Sequence, residues 1–211
     1  MPSPPSSPRP AAAPIAWNSA PTAPPARTTA GSNAGSWRPA LTWRPTADTT
    51  LTLLGSHQRD DIAGSPLNYV PAHGTVLANP NGSIARSFYT GEPDFDRWDR
   101  SVQSVGYLFE HHFDDRWTVR QNARYMHNDL DFRAVYPGGL GADGRTLRRS
   151  AFSAEEGSDH VAVDTQVQTA VDTGPLRHTV LLGLDYSRLR SDTVRGLSAA
   201  PTLDLFAPVY H

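Results

Sequence analysis

The 211-residue chain contains no cysteine, which excludes disulfides, thiolate metal sites and cysteine nucleophiles. Lysine is absent as well; all 19 basic residues are arginine, a compositional bias of the source genome rather than a functional signal. Long apolar runs are also missing. Hydrophobic residues make up 38% of the chain, and no stretch reaches the roughly 20 apolar residues that a transmembrane helix requires. A helical membrane protein is therefore excluded. A membrane β-barrel is not, because its strands alternate and leave little trace in hydropathy. No serine sits in a G-x-S-x-G elbow and no glycine-rich phosphate loop occurs, so an enzyme reading has no catalytic residues to rest on.

Charge is unevenly spread. The four arginines before Asp48 (Arg9, Arg27, Arg38 and Arg44) face no acid, while the rest of the chain sets 15 arginines against 21 acids. An acidic body without a basic face argues against a nucleic-acid partner. The first 36 residues are dominated by proline, alanine and serine and lack large apolar side chains. Such a segment cannot offset its ordering entropy and is expected to be a disordered leader. It does not carry the basic-then-apolar pattern of a secretory signal peptide.

From Trp37 onward the texture changes to two-residue alternation, the pattern of strands with chemically different faces. In residues 159–172, Val161, Val163, Thr165, Val167, Thr169 and Val171 fall on one face; His160, Ala162, Asp164, Gln166 and Gln168 fall on the other. The same split recurs in residues 177–186, 117–129 and 101–113, and two shorter segments at 37–44 and 49–59 bring the expectation to six strands. Turns of three or four residues alternate with long connections at 61–99 and 134–158, and the tail after Ser191 forms a third long segment. Compact soluble domains rarely carry structureless loops of that length, whereas outer-membrane barrels pair short turns at one end with long loops at the other. Aromatic residues flank the short turns at Trp43, Phe113 and Trp117, where an interfacial girdle belongs. The fold class expected is all-β: an antiparallel up-and-down transmembrane β-barrel fragment of about six strands over residues 37–211, preceded by the leader. The alternative is a soluble β-sheet interaction module with a disordered Pro-rich arm.

The segments LTWRPTADTTLTLLGSHQRD, GTVLANPNGSIARSFYTGEPDFDRWDR, VGYLFEHHFDDRWTVRQNARYMH, AVDTQVQTAVDTGPLRHTVLLGLDYSRLRSD and LDLFAPVY resemble, in one collinear run, TonB-dependent ferric-siderophore receptors of the ferrichrome and hydroxamate branch. The resemblance implies a barrel of about 22 strands closed inside by an N-terminal plug domain. It implies a ferric siderophore as ligand, TonB as energising partner, outer-membrane lipid around the wall, no cofactor and no covalent chemistry. Signal peptide, TonB box and plug have no counterpart in this sequence, so the expectation is an internal, truncated piece that does not form a working receptor alone. Siderophore pockets of this family are lined by aromatic side chains near the external strand ends. Two positions match: Tyr69 in LNYVPAHGT and Tyr136 in FRAVYPGG, with Leu67 and Gly138 where relatives can carry a further aromatic. Arg38, Arg44, Arg120 and Arg124 share the polar strand faces and are expected to line the lumen and contact the plug.

Two clusters imitate metal sites. Glu92, Asp94, Asp96 and Asp99 lack EF-hand spacing and alternate with Arg97 and Arg100, which suits a solvated, salt-bridged loop entering a strand. His111 and His112 are adjacent on an expected strand and so point to opposite faces. No metal ligand is assigned.

Overall fold

In a computed structural model, residues 32–64 and 68–211 are described. They form one antiparallel sheet of seven strands: β1 (Ser32–Trp37), β2 (Ala40–Thr46), β3 (Thr49–Ala63), β4 (Arg97–His112), β5 (Trp117–Leu140), β6 (Thr146–Thr173) and β7 (Leu176–Asp204). The order is β1-β3-β4-β5-β6-β7, with β2 also paired to β3. Strands β1 and β2 therefore occupy a single rank beside β3, and the sheet has the expected six ranks. The break between them falls at Arg38 and Pro39. Proline has no N–H to donate to a ladder, although its carbonyl still accepts the Gly55 N–H at 2.9 Å. Strand pairing already starts at Ser32, five residues before the border expected at Trp37, and residues 1–31 lie outside the described residues. No helix among the described residues is long and apolar enough to cross a membrane, which says nothing of strands.

Register makes the alternation explicit. Read across the sheet, one row runs Leu41–Leu53–Tyr107–Ala123–Val163–Tyr186, and the next toward the short turns runs Trp43–Leu51–Phe109–Gln121–Thr165–Leu184. These rows define the outer face. Its large side chains are open to the surroundings (Leu184 74%, Leu182 67%, Phe113 66%), a contiguous apolar surface far larger than a soluble monomer displays. The band is bounded. Phe113 and Trp117 stand at the short-turn end and Tyr125 and Tyr186 near the other, beyond which the row Trp37–His57–Gln103–His127–Asp159–Arg190 turns polar. Ten residue steps separate Val161 from Val171; at about 3.3 Å per step and a tilt near 45° they rise roughly 23 Å, close to the apolar band height of an outer-membrane barrel. On the inner face the same strands present Thr118, Arg120, Asn122 and Arg124 of β5 beside Gln168, Gln166, Asp164 and Ala162 of β6.

Above the band the strands continue much further than alternation suggests. Residues 134–158, expected as a loop, are mostly strand: β5 and β6 stay in register through Tyr136↔Ser150 and close with a turn at 141–145. The tail after Ser191 is likewise strand up to Asp204. The physical reason is that both faces are covered here. Ala134 and Val135, adjacent and on opposite faces, are both fully buried, so the two-residue contrast disappears. The described residues of the connection 64–96 hold no strand, and they pack Ile84, Tyr89 and Phe88 against Leu147, Leu203, Leu205 and Tyr210 to make a small hydrophobic core at this end.

Candidate functional site at the outer mouth

At the level where the band ends, the inner face changes from polar to aromatic. Trp98 of β4 is the register partner of Phe132 of β5, and their rings meet edge to face at 5.2 Å between centroids. Phe152 of β6 lies 6.0 Å from Phe132 and 6.2 Å from Tyr136, both tilted. Phe132 and Tyr136 are four residues apart on one strand and Phe152 faces Ala134 between them, so alternation alone places all three on one side. The result is a ladder of four aromatic rings rising along the wall. Trp98, Phe132 and Phe152 were not among the expected site residues; the signal that could have found them is the even spacing of Phe132, Ala134 and Tyr136 once strand continuity is assumed.

Of the two tyrosines expected from the resemblance, Tyr136 belongs to this ladder and Tyr69 to the connection between β3 and β4. Tyr69 is 59% exposed in the 64–96 connection. Burial raises Tyr136 above its ordinary value, with the Asp96 carboxylate and Tyr69 adding to the rise. Both rings present an apolar body and a polar tip, a combination suited to the organic shell of a polar chelate.

Behind Tyr136, the connection is pinned to the opposite, outer face of the wall. Alternation puts Val135, Ala151 and Arg149 on the same side as the apolar band, and here all three are buried, Arg149 against the backbone of Thr90 and Gly91. Arg149 Nη2 lies 2.9 Å from Glu92 Oε2, with both side chains fully buried. Its Nη1 donates to the carbonyls of Thr90 (3.3 Å) and Gly91 (2.6 Å), and its Nε donates to that of Pro201 (2.8 Å). Glu92 Oε1 accepts the His211 backbone N–H at 2.6 Å. Asp96 receives three bonds: Tyr89 Oη (2.5 Å) and Glu92 N (2.8 Å) on Oδ2, and Val135 N (2.7 Å) on Oδ1. Burial lifts the Asp96 carboxyl to about 6 despite these donors, and it also raises Glu92 above the usual carboxylate range. Two of the four acids in this run, Glu92 and Asp96, are therefore not solvated, whereas Asp94 is exposed as expected. Glu92 and Asp96 are 0% and 3% exposed, because the connection folds back and uses them as anchors.

The arginines expected at the lumen divide into two pairs. Arg120 and Arg124 sit at registered inner positions opposite Glu110 and Gly106; Arg120 bonds Glu110 Oε2 at 2.5 Å and Gln168 Oε1 at 3.0 Å. Arg38 falls in the break between β1 and β2, and Arg44 beside the irregularity between Trp43 and Thr46, so neither side chain's face is fixed by a ladder partner. His111 and His112 point to opposite faces, bonded to Thr49 Oγ1 (2.8 Å) and Thr118 Oγ1 (2.9 Å) respectively. Among the described residues no cluster of three or more potential ligands could hold a metal ion.

An up-and-down sheet with a lipid-height apolar band, a polar inner face and a decorated outer mouth is a piece of transmembrane barrel wall. Residues 36–210 match the family described as TonB dependent receptor-like, beta-barrel, and the chain belongs to that family. It is 38% identical over 172 residues to the ferrioxamine B receptor of Salmonella typhimurium strain LT2, covering 82% of this chain and 24% of that protein. It is 32% identical over 191 residues to the ferrichrome outer membrane transporter/phage receptor of Escherichia coli K12, covering 81% and 25%. Among solved structures, the ferric-catecholate import receptor Fiu of E. coli K12 superposes with a TM-score of 0.68 at 20% identity, covering 89% of this chain and 31% of that one; at that identity it speaks to the fold. The chain thus spans about a quarter of the length of the curated relatives it matches.

Proposed function

We propose that this chain is a wall-and-mouth segment of an outer-membrane receptor for ferric hydroxamate siderophores, with Tyr69 and Tyr136 contacting the ligand. The observation that carries this reading is the aromatic ladder Trp98–Phe132–Phe152–Tyr136 on the inner face of the mouth, with Tyr69 exposed in the connection that Asn68 ties to Thr90. The names of the relatives supply the ligand class, since ferrioxamine B and ferrichrome both wrap iron in hydroxamates inside an organic shell. Uptake is energised by TonB acting through a plug domain, and Arg38, Arg44, Arg120 and Arg124 are the wall's contacts to that plug. The segment resides in the cell outer membrane of a Gram-negative bacterium, with lipid against the apolar band.

The test is binding of Fe(III)–ferrioxamine B and Fe(III)–ferrichrome to the full chain in detergent micelles, read by quenching of tryptophan fluorescence with the metal-free siderophores as controls. Saturable quenching that requires iron and is lost in Tyr69→Ala with Tyr136→Ala supports the reading. Equal quenching by metal-free siderophore refutes it. A chain that is soluble and monodisperse without detergent would instead favour the soluble β-module.

A further inference from the structure

The buried groups behind the mouth form one continuous chain of bonds whose two ends land beside the two tyrosines. Asn68, next to Tyr69, accepts the Thr90 N–H (2.9 Å) and the Thr90 hydroxyl (2.8 Å) on Oδ1, and it donates from Nδ2 to the Phe88 carbonyl (2.8 Å). The Thr90 and Gly91 carbonyls receive Arg149, which is the register partner of Pro137, next to Tyr136. Arg149 pairs with Glu92, the Glu92 N–H binds Asp96, and Asp96 Oδ1 takes the N–H of Val135, the other neighbour of Tyr136. This last contact has a clear physical role. Pairing between β4 and β5 stops at Arg97↔Arg133, which leaves the next N–H of β5 as an open-edge donor; the Asp96 carboxylate caps it where a backbone carbonyl would otherwise stand. The space is filled closely: a methyl group on Gly91 would collide with Asp96 Oδ2.

We infer that Asp96, Arg149 and Glu92 are positioning residues that fix Tyr69 relative to Tyr136 and thereby set which ferric hydroxamate the mouth prefers. The inference rests on the reading of the two tyrosines as ligand contacts. None of the three positioning residues touches ligand; each acts through the backbone flanking a tyrosine. A pair of rings held at one separation accepts one chelate size better than another, whereas a loosened pair accepts both about equally, since specificity is a difference of two affinities.

Because the chain has no cysteine, Tyr69→Cys with Tyr136→Cys gives two unique spin-label sites. In the full chain in micelles, the inter-label distance distribution is expected to be single and narrow, and its width to about double when Asp96→Ala, which removes the cap on the Val135 N–H, or Arg149→Leu is added, as a held loop becomes mobile. Unchanged widths in both variants overturn the positioning role without reference to any ligand. In the unlabelled chain, the ratio of affinities for Fe(III)–ferrioxamine B and Fe(III)–ferrichrome is expected to shift by at least about threefold in Asp96→Ala. A merely structural defect lowers both affinities by one factor and leaves the ratio fixed, which also overturns the inference. Asn68→Ala, an exposed and local change at the far end of the network, is expected to shift the same ratio, and it keeps the test open if the buried variants fail to fold. Failure of the wild-type chain to bind either siderophore refutes the ligand reading alone, while the distance measurement still decides the positioning role.

Discussion

The band and the mouth of this wall are built from the same strands by opposite means. In the band, β3–β7 keep one apolar and one polar face, and most side chains on both faces remain open to lipid or lumen. At the mouth the same strands are covered on both sides, with Val135, Ala151 and Arg149 buried on one face and Phe132, Ala134 and Ala154 on the other. The band depends on its solvent to cover its apolar rows; the mouth carries its own cover in residues 64–96. Substitutions should therefore act by different rules in the two regions.

The largest effect is expected at the mouth. Arg149→Met leaves the Glu92 carboxylate buried without its cation, and breaking a buried pair from one side costs about 3–5 kcal/mol. Limited proteolysis of residues 64–96 measures it, with cleavage in the variant faster than in wild type by several orders of magnitude if the connection detaches. Replacing both partners, as Glu92→Leu with Arg149→Met, should recover most of the loss, because no orphaned charge remains. Cleavage at the wild-type rate in the single variant would mean that the ion pair does not hold the connection.

The next effect belongs to the band and turns on a single step along β6. Val167→Arg puts a charge on the outer face near mid-band and should cost about 2–4 kcal/mol of stability in lipid, whereas Gln166→Arg, one residue away on the inner face, should stay within about 1 kcal/mol. Denaturant unfolding in liposomes compares them. Equal costs would show that the two faces are not lipid and lumen.

Acid should act on the mouth and spare the band. The carboxyl of Asp96 lies at about 6 when the connection is docked and near 3.8 when it is free, so the docked form takes up its proton first. Docking is therefore weakest above pH 6 and tightens as pH falls from about 6 toward 4, by up to about 3 kcal/mol. Hydrogen exchange at Thr90 and Glu92 reads this as rising protection on acidification. In Asp96→Asn that pH dependence should vanish, leaving only the contribution of Glu92, which has the same sign.

The same contrast explains what could be read from the amino-acid string. In the band, alternation survives because each face meets a different medium, and Val161 to Val171 announce their strand and its orientation without help. At the mouth the contrast between faces is lost, so residues 134–158 read as a loop although Tyr136 and Ser150 are ladder partners. Tyr69 and Tyr136 were reached by resemblance alone. Trp98, Phe132 and Phe152 come from three different strands, and nothing local ties them together. Glu92 and Asp96 were misread as solvated because a short acidic run between arginines looks the same whether its partners are nearby in sequence or, like Arg149, on a strand more than fifty residues away. Long-range packing, which a sequence pattern does not encode locally, decides such cases.

The smallest expected effect isolates that point with one chemistry in two settings. Arg116 and Asp172 form an ion pair at 3.3 Å near the short turns, with side chains 61% and 49% exposed; Arg149 and Glu92 form one at 2.9 Å with none. The exposed pair gains little in high dielectric, pays side-chain entropy and is screened by salt, so its contribution should be about 0–1 kcal/mol. Asp172→Asn is accordingly expected to leave the denaturation midpoint within error at 0.15 M salt, where the Debye length is about 8 Å, against the several kcal/mol of Arg149→Met. A loss at Asp172 comparable to that at Arg149 would mean that burial is not what separates the two pairs. Near-equality would point instead to the short-turn end being held by its own charges, and the contrast between band and mouth would have to be redrawn around electrostatics.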